Sequence, residues 1–151
     1  MITEQEALQK LQRYCAYQER SPFEVERKLQ SLGLPRDRHE NVVASLMEEN
    51  FLDEYRFAEA YTRGKLNQKQ WAPFRIEVGL REHRIPTVTI TRILAEVDHT
   101  TVQANALYLA ERWFSSKTKE QLTAAMQRRG YSFDDISKAY EIVSAERSEN
   151  S

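Results

Sequence analysis

Three stretches of this chain repeat one another, and a repeated short unit narrows the possible folds more than any other feature here. The first is Ser21 to Leu29 followed by Gly33-Leu34-Pro35. The second is Ala72 to Leu80 followed by Arg84-Ile85-Pro86, and the third is Lys119 to Met126 followed by Gly130-Tyr131-Ser132. Each pairs an apolar residue with another four positions on, breaks four residues later, and resumes on an apolar residue. The register holds across the breaks. Gly33, Val42, Val43 and Leu46 match Arg84, Ile93, Leu94 and Val97 at an offset of 51, while Leu80, Arg84, Ile93 and Val97 match Met126, Gly130, Ala139 and Val143 at an offset of 46. Repeated units of this size usually form a scaffold that binds along something long, rather than a pocket that does chemistry.

Apolar spacing within each repeat is helical. Thr3 with Glu6 reads as a capping box opening a helix that carries Ala7, Leu8, Leu11, Tyr14 and Cys15. Ser21-Pro22 opens a second helix as N-cap and N1, with Phe23, Val25 and Leu29 on its apolar face, and Gly33 ends it. A third helix after Pro35 carries Val42, Val43, Leu46 and Met47. The pattern restarts with Asp53 as a cap, then Phe57, Ala58, Tyr61 and Leu66. The next helix uses Phe74, Ile76, Val78 and Leu80. The β-branched run Thr87 to Thr91 reads as strand in isolation, but the repeat register makes it a helix with Ile90, Ile93, Leu94 and Val97. In the last third, Ala104, Leu107, Tyr108, Trp113 and Phe114 mark one helix, and Leu122 and Met126 mark the next. A final helix, capped by Ser132 or Asp134, carries Ile136, Ala139, Tyr140 and Val143. The expected fold is all-α: three tandem three-helix units forming a helical repeat, residues 1–52, 53–97 and 98–151, whose end frays from Ser148.

With 40% apolar and 30% charged residues, such small units with wide solvated faces are a better fit than one thick core. Cys15 is the single cysteine, the first twenty residues are charged throughout, and no apolar run approaches the ~20 residues that span a bilayer. These features point to a cytoplasmic protein with no membrane contact. The net charge of −1 is unevenly spread, with −2 over residues 1–52, +2 over 53–97 and −1 over 98–151. Between residues 63 and 92, seven basic side chains meet only Glu77 and Glu82. The middle unit is therefore the expected contact surface for a negative partner.

The stretch Asn50-Phe51-Leu52-Asp53-Glu54-Tyr55-Arg56-Phe57-Ala58 resembles the motif that opens the second unit of the RecX family, bacterial regulators of the RecA recombinase. Leu52, Asp53, Arg56, Phe57 and Ala58 match that motif, and Glu54 replaces its second Asp. Ser21 with Glu24, Val25, Lys28 and Leu29 resembles the family's first-unit helix, and Arg75-Ile76-Glu77 with Leu80-Arg81 resembles a second-unit segment. Trp71-Ala72-Pro73, Gly79 and Arg84 depart from the family pattern, and Gly79 costs up to ~1 kcal/mol in a helix interior. The resemblance covers residues 5–97, and 98–147 follow only in helical spacing. It implies three tandem three-helix units in an elongated, curved array that bind in the groove of the RecA–single-stranded DNA filament. There the protein would modulate recombination and the SOS response to DNA damage, most often by inhibition, with no cofactor.

The motif, Leu52, Asp53, Arg56, Phe57 and Ala58, has a mainly structural reading, in which Asp53 caps, Glu54 complements the helix N-terminus, Phe57 and Ala58 enter the core, and Arg56 is either an exposed contact or the partner of an acid in the first unit. The expected RecA or nucleic-acid contacts are Arg63, Lys65, Lys69, Trp71, Arg75, Arg81 and Arg84, with Arg81 and Arg84 sharing one helix face. Trp71 reads as a lid over the local core or as a ring that stacks on a base. His39, His83 and His99 are scattered without metal-ligand spacing, Cys15 sits on an apolar stripe, and no glycines form a phosphate loop. No enzyme, metal or cofactor is expected, and the protein reads as a monomer with RecA as partner and single-stranded DNA as a candidate. Two alternatives stay open: a standalone DNA-binding helical-repeat module, which would usually be more basic than pI 6.3, and a structural helical adaptor.

Overall fold

The computed structural model describes residues 1–150. Those residues form nine α-helices and one 3₁₀ turn, with no strand among them. The helices are α1 (Glu4–Tyr17), α2 (Pro22–Leu32), α3 (His39–Glu48), α4 (Glu54–Gln68), α5 (Pro73–Glu82), α6 (Thr87–Ala95), α7 (His99–Trp113), α8 (Lys119–Arg128) and α9 (Phe133–Glu149). The β-branched run lies inside α6, so the repeat register prevails over local strand preference. Reciprocal capping boxes, Thr3 with Glu6 and Ser21 with Glu24, start α1 and α2. Ser132, not Asp134, caps α9, accepting from the Asp135 N–H at 3.1 Å. α9 continues to Glu149; Ser151 lies outside the described residues.

The repeat is expressed in the backbone as well as in burial. Gly33, Arg84 and Gly130 all take left-handed conformations, with φ of 81°, 62° and 94°. At each, the following residue's N–H bonds back to a carbonyl five residues earlier: Leu34 to Leu29, Ile85 to Leu80 and Tyr131 to Met126. These are Schellman closures, and the apolar residue after each turn is buried, as that motif favours. Leu29, Leu80 and Met126 are fully buried, and so are Val25, Ile76 and Leu122 one turn earlier. Only the middle repeat makes this turn without glycine, at a cost of about 1–2 kcal/mol. Arg84→Gly is accordingly expected to raise stability by about 1 kcal/mol, read as a higher urea midpoint with unchanged m-value.

Two compact bodies account for the packing, residues 1–61 with 80–93 and residues 62–79 with 94–151. In the first, Ala7, Leu11 and Cys15 of α1 meet Val25, Leu29, Val42 and Leu46 around a continuous core closed by Leu52. Burial pushes the Cys15 thiol up to about 11, so it is a core thiol rather than a nucleophile. In the second body, Val102, Ala106, Leu109 and Ala110 of α7 pack with Leu122, Met126, Ile136, Ala139 and Val143. Trp113 and Phe114 sit half-buried against that core.

Two apolar faces differ from expectation. On α5, Ile76 and Leu80 are buried, but Phe74 is 69% exposed and Val78 is also exposed. Alternate residues on a helix lie about 200° apart, so those four positions cannot share one face. On α7, Ala104 and Tyr108 face outward, and the buried stripe is Val102, Ala106, Leu109 and Ala110, at i, i+4, i+7 and i+8. Tyr108 can turn its hydroxyl to water from that outer position.

Candidate functional site

The residues around Asp53 form a structural joint. The Asp53 carboxylate accepts from the Arg56 N–H at 3.0 Å, and Leu52, Phe57 and Ala58 are buried. Arg56 Nε donates to both Glu19 carboxylate oxygens at 3.2 and 3.0 Å, and its Nη2 donates to the Asn50 carbonyl at 2.8 Å. Asn50 itself sits in a left-handed turn with φ 64°. Arg56 thus ties the end of α3, the segment after α1 and the start of α4 together, and its hydrogen bond to Glu19 holds the guanidinium above its ordinary range. Of the two roles open to Arg56, pairing with a first-unit acid is the one the structure shows.

The seven expected contact residues divide between the two bodies. Trp71, Lys65 and Arg75 come together in the second body. Lys65 Nζ lies 4.7 Å and Arg75 Cζ 4.5 Å from the Trp71 ring centroid. The ring is half-buried and carries two cations against its π-system. That loop is anchored from the side. The Trp71 N–H donates to the Lys65 carbonyl at 3.0 Å, the Ala72 N–H to the Arg129 carbonyl at 2.8 Å, and the Tyr131 hydroxyl to the Gln70 carbonyl at 2.6 Å. Burial pushes the Tyr131 phenol well above its ordinary range, so it stays a donor at every physiological pH. Asn105 Nδ2 caps the Leu66 carbonyl at 2.9 Å, fixing the end of α4. Arg63 and Lys69 are exposed near this loop in sequence.

Arg81 and Arg84 belong to the first body, and both are exposed. They do not share a helix face, because α5 ends at Glu82 and Arg84 occupies the left-handed turn beyond it. Arg81 Nη1 donates to Thr87 Oγ1 at 3.2 Å, and Arg84 Cζ lies 5.2 Å from the Phe23 ring centroid. Between them, His83 sits among aromatic rings, 4.9 Å from Phe57, 5.4 Å from Tyr61 and 6.3 Å from Phe23, with its Nδ1 2.8 Å from Ser21 Oγ. That oxygen also caps α2, accepting from the Glu24 N–H at 3.1 Å. Sequence spacing missed this cluster because its members are up to 62 residues apart. Among the described residues, no group of three His, Cys, Asp or Glu side chains could hold a metal, and no helix is long and apolar enough to cross a membrane.

The chain has clear relatives. Residues 53–94 match the model of the RecX second three-helix domain. A regulatory protein RecX from Halorhodospira halophila is 33% identical over 135 residues, covering 84% of this chain and 81% of the relative. The regulatory protein RecX of Bacillus mycoides is 28% identical over 141 residues, and the chain spans 52% of that relative's length. The crystal structure of RecX from Lactobacillus salivarius has the same fold, with a TM-score of 0.79 at 21% identity, covering 94% of this chain and 97% of the other.

Proposed function

The chain belongs to the RecX family of regulatory proteins, and from that membership we propose that it regulates RecA, as an inhibitor, by docking in the groove of the RecA–single-stranded DNA filament. The observation that carries the reading is sequence kinship extending over 84% of the chain rather than one motif. A chain of repeated helix triplets suits a helical polymer: each triplet adds a weak contact, and covalent linkage raises the effective concentration of the next. The contacts assigned to this role are Arg63, Lys65, Lys69, Trp71, Arg75, Arg81 and Arg84. They meet filament phosphates or acidic protein surface as a cytoplasmic monomer would, and the Asp53–Ala58 motif holds the scaffold.

RecA-dependent ATP hydrolysis on single-stranded DNA tests this. Added protein is expected to lower turnover, and the triple reversal Arg75→Glu, Arg81→Glu and Arg84→Glu to raise the concentration needed by about tenfold or more, chiefly through association rate and salt dependence. Arg84→Gly should weaken the effect while stabilising the fold, which separates contact from folding. Unchanged hydrolysis at several-fold excess over filament sites, or full potency of the triple variant, would count decisively against the proposal.

A further inference from the structure

The first body carries a second basic surface outside the site above. Lys10, Arg13, Tyr14 and Tyr17 fall at i, i+3, i+4 and i+7 on α1, flanking the buried Ala7, Leu11 and Cys15, with Tyr14 packed partly against that core. With Arg20 from the following turn and Lys28 from α2, they line a cleft of about 370 Å³. No acidic residue lines it, and among the described residues none of these four cations is ion-paired. Arg20 is held in place: its Cζ lies 3.7 Å from the Tyr14 ring centroid and its Nε donates to the Tyr14 carbonyl at 2.9 Å. Lys28 Nζ lies 5.5 Å from the same centroid. Arg20 Cζ also lies 5.9 Å from the centroid of Tyr17, whose ring is 83% exposed at the cleft edge.

We propose that this cleft between α1 and α2 binds single-stranded nucleic acid, with phosphates on Lys10, Arg13, Arg20 and Lys28 and an unpaired base stacked on Tyr17. Cations that meet phosphates release counterions, which supplies affinity without sequence preference. An exposed aromatic ring beside such cations is the second half of a single-strand site, because every base offers a π-face. An acidic peptide would satisfy the cations but leave the Tyr17 ring idle, and a duplex would offer it no accessible base. The net charge of −2 over residues 1–52 hides this face, since Glu4, Glu6, Glu48 and Glu49 lie off the cleft.

The proposal is independent of RecA, so its test omits RecA. Fluorescence anisotropy of a labelled oligothymidylate is measured with the full chain at several salt concentrations. Lys10→Glu with Arg13→Glu is expected to weaken binding by about tenfold or more at low salt and to reduce the slope of log K against log salt by about 1–2. Tyr17→Ala is expected to weaken it by about fivefold to tenfold with the slope unchanged. Arg36→Glu with Arg38→Glu makes the same charge change off the cleft and should bind like the wild type. The proposal is overturned if the wild type does not bind, if the two double variants behave alike, if a duplex of equal length binds more tightly, or if polyglutamate displaces the oligonucleotide as well as unlabelled single strand does.

Discussion

Gly130→Ala is expected to destabilise the protein by about 2–4 kcal/mol, while Gly33→Ala at the equivalent turn costs only about 1 kcal/mol. Both glycines sit at left-handed φ, 94° and 81°, so the backbone penalty of adding a Cβ is common to the two. Their surroundings differ. A Cβ at Gly33 would meet nothing within 4 Å, but one at Gly130 would fall 2.5 Å from the Arg75 nitrogen, 2.7 Å from Arg75 Cβ and 3.2 Å from the Ala72 carbonyl oxygen. Two of these are backbone atoms at the start of α5, which cannot swing aside as a flexible side-chain tip could. Relief requires the 129–131 turn and the 70–75 loop to separate. That motion breaks the Ala72–Arg129 and Tyr131–Gln70 hydrogen bonds. Urea unfolding of the two variants against wild type measures the difference. If the two glycines cost the same, the close approach at Gly130 is not a determinant of stability. Because Arg75 and Trp71 stand on this loop, the proposed inhibition of RecA should also be weaker in Gly130→Ala at temperatures where the chain remains folded.

The repeat was readable because it is written in local chemistry: capping residues, i, i+4 apolar pairs and a left-handed turn with its buried follower. Even Arg84, where the sequence lacks glycine, adopts the turn, since the fully buried Leu80 and the buried Ile85 on either side fix the register. What spacing could not place was everything that depends on partners far along the chain. Arg56 finds Glu19 across 37 residues, and His83 finds Ser21 across 62. The α7 face was misplaced because Tyr108 and Ala104 count as apolar in any periodicity, although a tyrosine is as stable at a wet surface as in a core.

The candidate site was legible as a basic region but not as an arrangement. Trp71 with its two cations follows from residues close together in sequence. The fate of Arg84 did not, because it turns on where α5 stops. Net charge conceals the second basic surface, since the first third is acidic in total yet carries a cleft with no acidic lining residue. Periodicity of charge on α1, rather than net charge, was the signal that would have found it.

His39→Ala is expected to lower stability by about 2–4 kcal/mol, through lost hydrogen bonds and an unfilled void. His39 begins α3 and is almost completely buried. Its Nε2 lies 2.8 Å from the Leu34 carbonyl and donates to it, while its Nδ1 meets the Glu26 carboxylate at 3.0 Å. One ring therefore joins α2, the turn after Gly33 and the first residue of α3. Truncation leaves a buried carbonyl without a donor, and the penalty of an unmet buried acceptor exceeds the net gain from a made bond. Glu26 is about one-third exposed and can return to water. Glu26→Gln should therefore cost under ~1 kcal/mol, which separates the buried bond from the surface one. The measurement is the urea midpoint of each variant, with hydrogen exchange at the α3 amides as a local readout. A loss below ~1 kcal/mol for His39→Ala would mean that a water replaces the imidazole and that the joint is not held by this ring. The Lys10–Lys28 cleft lies in the same body but does not include α3, so oligonucleotide binding by folded His39→Ala should match wild type.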